Sequence, residues 1–371
     1  MFFLLFLFEI FLNIKSNTLL KKNKFNYRDE LKKEFKSVDV AFAPYKLLNK
    51  DYSLIPLNGI SNTKTILCKH NDSFVTYQSD KYGFNNYKLS IQNDIIILGD
   101  SYVHGLCQKK ENTLVNNIYQ NGINVINFGI MSTGPLIQYA TLKEYAEEYN
   151  YNSIVWLFNP DNDFYDFSFE INDPILKKYF FSDNYNQDLI NNNYLKDRIL
   201  LEYFDYEGRK IKEIVKFYHL DLKRVRDIIQ IFIDRFLYKK NYYSNISYVE
   251  KNNLSKIINT INKTIKFTGE NKKNLIFIIN AITPDVVFSN NKNIIKLNDA
   301  YLNNIKKIKK FLHEKEIKYF DFNEFVYEAY DESNINDIFK ITDSGYDHFT
   351  LKGNNILATK ISDLILSHSK K

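Results

Sequence analysis

Tryptophan occurs once in this chain, cysteine and methionine twice each, proline six times and glycine eleven times in 371 residues. The sparse glycines, none at phosphate-loop spacing, exclude a glycine-rich cradle for nucleotide phosphates. Arginine is equally scarce, six of the 50 basic residues. The lysines sit beside Asn and Glu, and no arginine face interleaved with aromatics is there to grip nucleic acid. The net charge of +6 therefore reads as solvated surface, and no nucleic-acid partner is expected. His70, His104, His219, His313 and His368 show no metal-ligand spacing with cysteine or carboxylates, so no metal and no cofactor is expected. There is no internal repeat, and no low-complexity tract beyond an Asn/Lys bias. Taken as residues alone, Cys68 and Cys107 would be unremarkable as two buried free thiols of a cytosolic protein.

What is present is a globular composition, 44% hydrophobic and 16% aromatic, long enough for one large domain with insertions or for two. Met1–Ile14 is apolar apart from Glu9 and Asn13. It is shorter than the ~20 residues that span a bilayer and lacks a basic n-region. It can be a signal h-region, a signal-anchor whose start lies upstream, or a buried helix; residues 1–24 are expected to be an export or anchor segment. Lys21, Lys22 and Lys24 point the other way, since the positive-inside rule would keep the following chain cytoplasmic. Residues 25–90 read as a polar helix and linker followed by loops with short strands, punctuated at Leu54–Gly59 and Ser79–Asn85.

From Asp94 onward the pattern becomes strands alternating with helices. Short apolar runs at Ile95–Leu98, Val125–Phe128, Ile154–Phe158, Leu275–Ile279 and Lys318–Phe322 predict five strands. The helical periods between them predict a three-layer α/β/α sandwich around a mostly parallel five-stranded sheet, flavodoxin-like in class. Leu302, Ile305, Ile308 and Leu312 have the spacing of a crossover helix. The third and fourth strands are separated by far more chain than a connection needs, which predicts a helical insertion over about 165–270. Within it Leu222, Val225, Ile229, Phe232 and Phe236 line one helix face, most simply a packed core face.

The stretch Asn93–Gly105 carries an apolar run into Gly99-Asp100-Ser101. Such a turn at the carboxyl edge of a parallel sheet faces the ligand crevice, where a serine can serve as nucleophile. An ordinary helix N-cap by Asp100 or Ser101 is the alternative.

Read with three later stretches, this one resembles the SGNH (GDSL-type) hydrolase family. Those stretches are Asn127–Gly134 after the second strand, Asn159–Asp163 after the third, and Asp347–Asn354 before a C-terminal helix. The resemblance spans roughly residues 94–365, the SGNH domain being placed at 91–371. It implies Ser101 as nucleophile and His348 as its base. It also implies an oxyanion hole formed by the backbone N–H groups of Ser101 and Ser132 and the side-chain amide of Asn162. Ser132 stands where most members have glycine, and Pro160 replaces a glycine two residues before Asn162. The triad acid departs furthest. Two and three residues before His348 lie Tyr346 and Gly345, Asp343 lies five back, and Asp347 is adjacent. Neighbours in an extended segment point to opposite faces, so a Ser-His dyad stands beside an Asp347-assisted triad.

Ile55–Cys107 further resembles a bacterial exported branch of this family, of unassigned substrate, with cysteine at both positions. That likeness implies a Cys68–Cys107 disulfide and an oxidising compartment, the periplasm or cell envelope, with attachment to the inner membrane through residues 1–14. The expected activity is ester hydrolysis or O-acyl transfer on a small acyl ester or an O-acetylated envelope polysaccharide. A catalytically weak or inactive binding or assembly protein of the same fold is the alternative.

Overall fold

A computed structural model describes residues 10–11, 28–29, 31–35, 37–70, 73–86, 92–160, 162–216, 253–284, 292–331, 333–342 and 345–367. The five predicted strands are present as β4 (Ile95–Leu98), β5 (Val125–Asn127), β6 (Ser153–Phe158), β7 (Asn274–Ile279) and β8 (Lys318–Asp321). Phe128 falls just outside its strand, and Phe322 begins a helix instead. The sheet is wholly parallel in the order β5-β4-β6-β7-β8, the 2-1-3-4-5 arrangement of doubly wound folds. The order reverses between β4 and β6, and ligands of such sheets bind outside the carboxyl ends at that point.

Both faces of the sheet are covered, which is why the central strands β4, β6 and β7 are almost continuously apolar, whereas the edge strand β8, Lys-Tyr-Phe-Asp, is half-buried. Side chains alternate along a strand. Ile96 and Leu98 of β4 join the core on one face, whereas Ile95 and Ile97 join the core on the other. The first face packs against α3 (Pro135–Tyr145), α4 (Asp163–Glu170), α5 (Leu176–Phe181), α6 (Asn193–Lys216), a helix over 253–270 (α7) and α8 (Lys292–Glu314). The second packs against α1 (Ser101–His104), α2 (Leu114–Gln120), α9 (Phe322–Ala329) and α10 (Leu351–Leu366). Fully burying each such Ile, Leu or Phe contributes about 1.5–3 kcal/mol. In α8, Ile305, Ile308 and Leu312 face the core as their spacing predicts, but Leu302 is 44% exposed. The apolar face read at 222–236 lies outside the described residues.

Ahead of the main sheet, β1 (Val38–Val40), β2 (Lys64–His70) and β3 (Ser73–Gln78) form a second sheet. The sequence reading held strand and turn here but not the β1 pairing, which brings a segment read as linker into a parallel ladder with β2. Leu67, Val75 and Tyr77 of this sheet pack against Met131. Cys68 of β2 is disulfide-bonded to Cys107 beyond α1, tying the small sheet to the β4–α1 turn. From the other side, the Lys196 ammonium of α6 is fully buried and donates to the carbonyls of Gly59 and Tyr82, both at 2.7 Å. Asp197 balances it at 2.9 Å. Among the described residues no helix is long and apolar enough to cross a membrane.

Candidate active site

Ser101 opens α1 immediately beyond β4. Asp100 is its N-cap, its side chain accepting the Tyr102 N–H at 3.0 Å. The helix-cap reading and the crevice-facing reading of this turn are therefore compatible. Capping by Asp100 leaves the Ser101 hydroxyl free to face outward, and Nε2 of His348 lies 2.7 Å from Ser101 Oγ. The two residues are 247 positions apart in sequence.

His348 arrives on a hairpin of β9 (Phe339–Thr342) and β10 (Gly345–Phe349), a pairing the sequence did not reveal. Its neighbour Phe349 is the anchor, fully buried with its ring 4.7 Å from Tyr102, 5.0 Å from Phe339 and 5.5 Å from Phe322. Gln108 Nε2 donates to the Phe349 carbonyl at 3.2 Å, and Asn354 Nδ2 donates to Gln108 Oε1 at 2.9 Å. The Tyr102 ring lies against the imidazole with centroids 4.6 Å apart. The segment following Ser101 thus holds the histidine through its ring, by Tyr102, and through the carbonyl of the next residue, by Gln108. Asp347 precedes His348 in β10, and Asp343 lies outside the described residues.

The β5–α3 loop is stitched to the β4–α1 turn at several points. The Ile130 N–H donates to Gly99 O at 3.2 Å, and the Met131 N–H to His104 Nδ1 at 3.3 Å. Gly129 lies so close that a Cβ there would sit 2.5 Å from His104 N. Ser132 follows with φ 55°, a left-handed conformation that glycine adopts without penalty and serine does not. The far side of the loop is clamped by Glu170, whose carboxylate accepts N–H groups from Gly134 at 2.5 Å, Leu136 at 3.0 Å and Ile137 at 3.3 Å. These are the orphan donors of the first turn of α3.

The β6–α4 loop joins the same turn through Asn159, whose Nδ2 donates to Asp100 Oδ2 at 2.9 Å. Asp163 closes the loop on itself, accepting the Asn159 N–H at 2.8 Å. Asn162 follows Asn159 by three residues and donates from Nδ2 to Asp166 Oδ2 at 3.1 Å. Asp161, between Pro160 and Asn162, lies outside the described residues.

Three carboxyl groups of α4 lie under this crevice. Burial, then the charge of Asp100, raises Asp163 well above the usual carboxylate range. Burial and Asp100 likewise push Asp166 up to about 7, against the hydrogen bond from Asn162. Glu170 is pushed up to about 8 by burial and Asp166, against its three backbone donors. A cavity of about 470 Å³ opens beside them, lined by Tyr45, Leu48, Ser132, Tyr165, Asp166 and Phe169. Among the described residues no group of three or more His, Cys, Asp or Glu is placed to hold a metal ion.

The loops bearing Ser132 and Asn162 are thus hydrogen-bonded to the β4–α1 turn that carries Ser101, and His348 reaches the same turn from the β9–β10 hairpin. Asp100, His104, Gly129, Asn159, Asp166 and Glu170 hold those loops, and of these only Asp100 stands out in the sequence analysis, as a candidate helix cap. The Asp100 cap was the one signal available in advance, since a short polar residue before a helix is a cap pattern.

Fold and site together define a doubly wound α/β protein with a serine-histidine pair at its topological switch point. No family model and no curated protein matches the chain. Among solved structures it is similar to a protein of the G-D-S-L family described as lipolytic, from Desulfitobacterium hafniense DCB-2. That likeness has 12% identity and TM-score 0.39, over 73% of this chain and 99% of the other. It is also similar to the acetyl xylan esterase AlAXEase, at 11% identity and TM-score 0.39 over 73% of this chain and 98% of that one. The fold assignment rests on the strand order and side-chain placement above, not on these likenesses.

Proposed function

We propose that the protein is an SGNH-type serine hydrolase or acyltransferase acting on acyl esters. The observation that carries this reading is the 2.7 Å approach of His348 Nε2 to Ser101 Oγ, within the reach expected of a nucleophile and its base. The Ser101 hydroxyl donates to Nε2, which takes its proton as Oγ attacks the ester carbonyl. The resulting oxyanion is received by the Ser101 and Ser132 backbone N–H groups and the Asn162 amide. His348 then returns the proton to the departing alcohol, leaving an acyl group on Ser101. Water activated by His348 releases the acid, or a second alcohol takes the acyl group.

For the substrate we favour an O-acetylated carbohydrate of the cell envelope. The cavity beside Ser132 supports this: its walls mix the rings of Tyr45, Tyr165 and Phe169 with the carboxyl of Asp166. Rings can cover the C–H faces of a sugar while the carboxyl accepts its hydroxyls. The disulfide supports residence in an oxidising compartment, with residues 1–14 as the export or anchor segment.

A fluorophosphonate probe tests the reading. Wild-type protein should be labelled, Ser101→Ala should not, and His348→Ala should label far more slowly. Equal labelling of Ser101→Ala and wild type would sink it. A folded, oxidised wild type that takes no label would favour the alternative, a binding or assembly protein that has kept the fold without the chemistry.

A further inference from the structure

Asn162 occupies the N-cap position of α4, where an asparagine ordinarily accepts a backbone N–H of the first turn. Here its side chain makes no such bond. Its Nδ2 turns instead to Asp166, at 3.1 Å. Its Oδ1 is buried without a hydrogen-bond partner among the described residues. Forgoing a cap and burying a bare carbonyl both destabilise a fold. Local rules are broken in this way where function dictates geometry. The two Nδ2 hydrogens lie in a fixed plane, so holding one on Asp166 sets the direction of the other.

We propose that ionised Asp166 is the positioning residue for the Asn162 oxyanion donor, and that protonation of Asp166 disengages that donor. The inference rests on the hydrolase reading above. The groups facing Asp166 are Asp100 from the β4–α1 turn and Asp163 and Glu170 from its own helix, with Tyr45, Tyr165 and Ser132 around the cavity. Among the described residues no lysine or arginine acts on it. Burial first, and then the charge of Asp100, push the carboxyl up to about 7. Once protonated, its O–H becomes a donor and the bare Asn162 Oδ1 becomes the partner it can satisfy. The amide then turns end for end, and its N–H groups leave the reacting centre. Only a proton moves in this step, taken from solvent as the pH falls.

Asp166→Asn tests this, because it keeps the shape and removes both charge and titration. On 4-nitrophenyl acetate at pH 8 its kcat should fall about tenfold to a hundredfold, short of the ~10²–10³ for outright loss of an oxyanion donor because the new side-chain carbonyl can still accept the Asn162 N–H part of the time, with KM within about twofold. Its Tm should rise, because a buried charge has gone. The acid limb of the wild-type kcat profile should lose one ionisation. In wild-type protein the Asn162 side-chain amide resonance, identified by its absence in Asn162→Asp, should titrate with a midpoint near pH 7, and in Asp166→Asn it should not. A resonance indifferent to pH overturns the proposal, as does a variant that loses Tm and activity together. If wild-type protein takes no probe at Ser101, the hydrolase reading fails separately, and the resonance still decides whether Asp166 governs the amide.

Discussion

The Nδ1 atom of His104 accepts the Met131 N–H at 3.3 Å, joining the end of the Ser101 helix to the loop that presents Ser132. The ring stands edge-on to Tyr77, with centroids 5.5 Å apart, so the small N-terminal sheet braces it. His104→Phe keeps the packing and removes the acceptor. Leaving the Met131 N–H buried should reduce stability by about 1–3 kcal/mol. On the hydrolase reading, loosening the Ser132 N–H should also lower kcat on small esters by roughly tenfold. Tm and kcat measured on the same preparation check both; unchanged values would mean that His104 only fills space.

Gly129 and Ser132 lie on the same loop and should respond oppositely to substitution. Gly129→Ala drives a methyl into His104 N, and overpacking of this kind costs about 1–3 kcal/mol. Ser132→Gly relieves the left-handed backbone and keeps the N–H donor, so it should be neutral or stabilising by up to about 1 kcal/mol. Denaturant midpoints of the two variants give the comparison.

The Cys68–Cys107 bridge closes a span of 39 residues. On a loop-entropy basis its removal should destabilise the protein by about 4 kcal/mol. The double substitution to serine and the reduced wild type should show similar losses in chemical denaturation. A reductant without effect on the midpoint would show that the constraint contributes nothing.

Lys196→Met leaves the Gly59 and Tyr82 carbonyls without their donor and Asp197 without its counter-charge. Removing one partner from a buried pair is strongly destabilising, here by about 3 kcal/mol. Because this ammonium joins α6 to the N-terminal loops, limited proteolysis of the variant should cut near residues 59–82 first.

Stability should fall as pH rises from about 4 to 8. Asp39 at about 6, Asp166 at about 7 and Glu170 at about 8 are each raised, burial being the first cause. A carboxyl held protonated in the native state but ionised when unfolded stabilises fully below its unfolded value. That contribution is lost as pH climbs through its folded value. Guanidinium midpoints should therefore decline across this range and level off above it, with a shallower slope in Asp166→Asn. A midpoint that rises from pH 5 to 8 would contradict the assignment.

The main sheet was legible because strands buried on both faces must be apolar throughout, so Ile95–Leu98 and Ile154–Phe158 stood out from their surroundings. The hairpin bearing His348 was not: its strands include Lys340, Thr342 and Asp347, and they take their register from each other and from Phe349. Ser101 and His348 could be singled out because their stretches, taken in order with two others, resemble those of a known family. Their supports could not. Asp166 and Glu170 look like ordinary solvent-facing residues of a helix, and only the fold shows that α4 is inserted beneath the crevice with Glu170 1% exposed.

The serine and its histidine meet in the folded body but lie 247 residues apart in the chain. The pair therefore exists only once the chain has been made past residue 348. A copy still emerging from the ribosome, or one clipped before residue 345, carries Ser101, Ser132 and Asn162 but lacks His348, the base of the proposed reaction. On the hydrolase reading, the protein is silent throughout its own synthesis and acquires reactivity in a single late event, when the last hairpin closes over Tyr102.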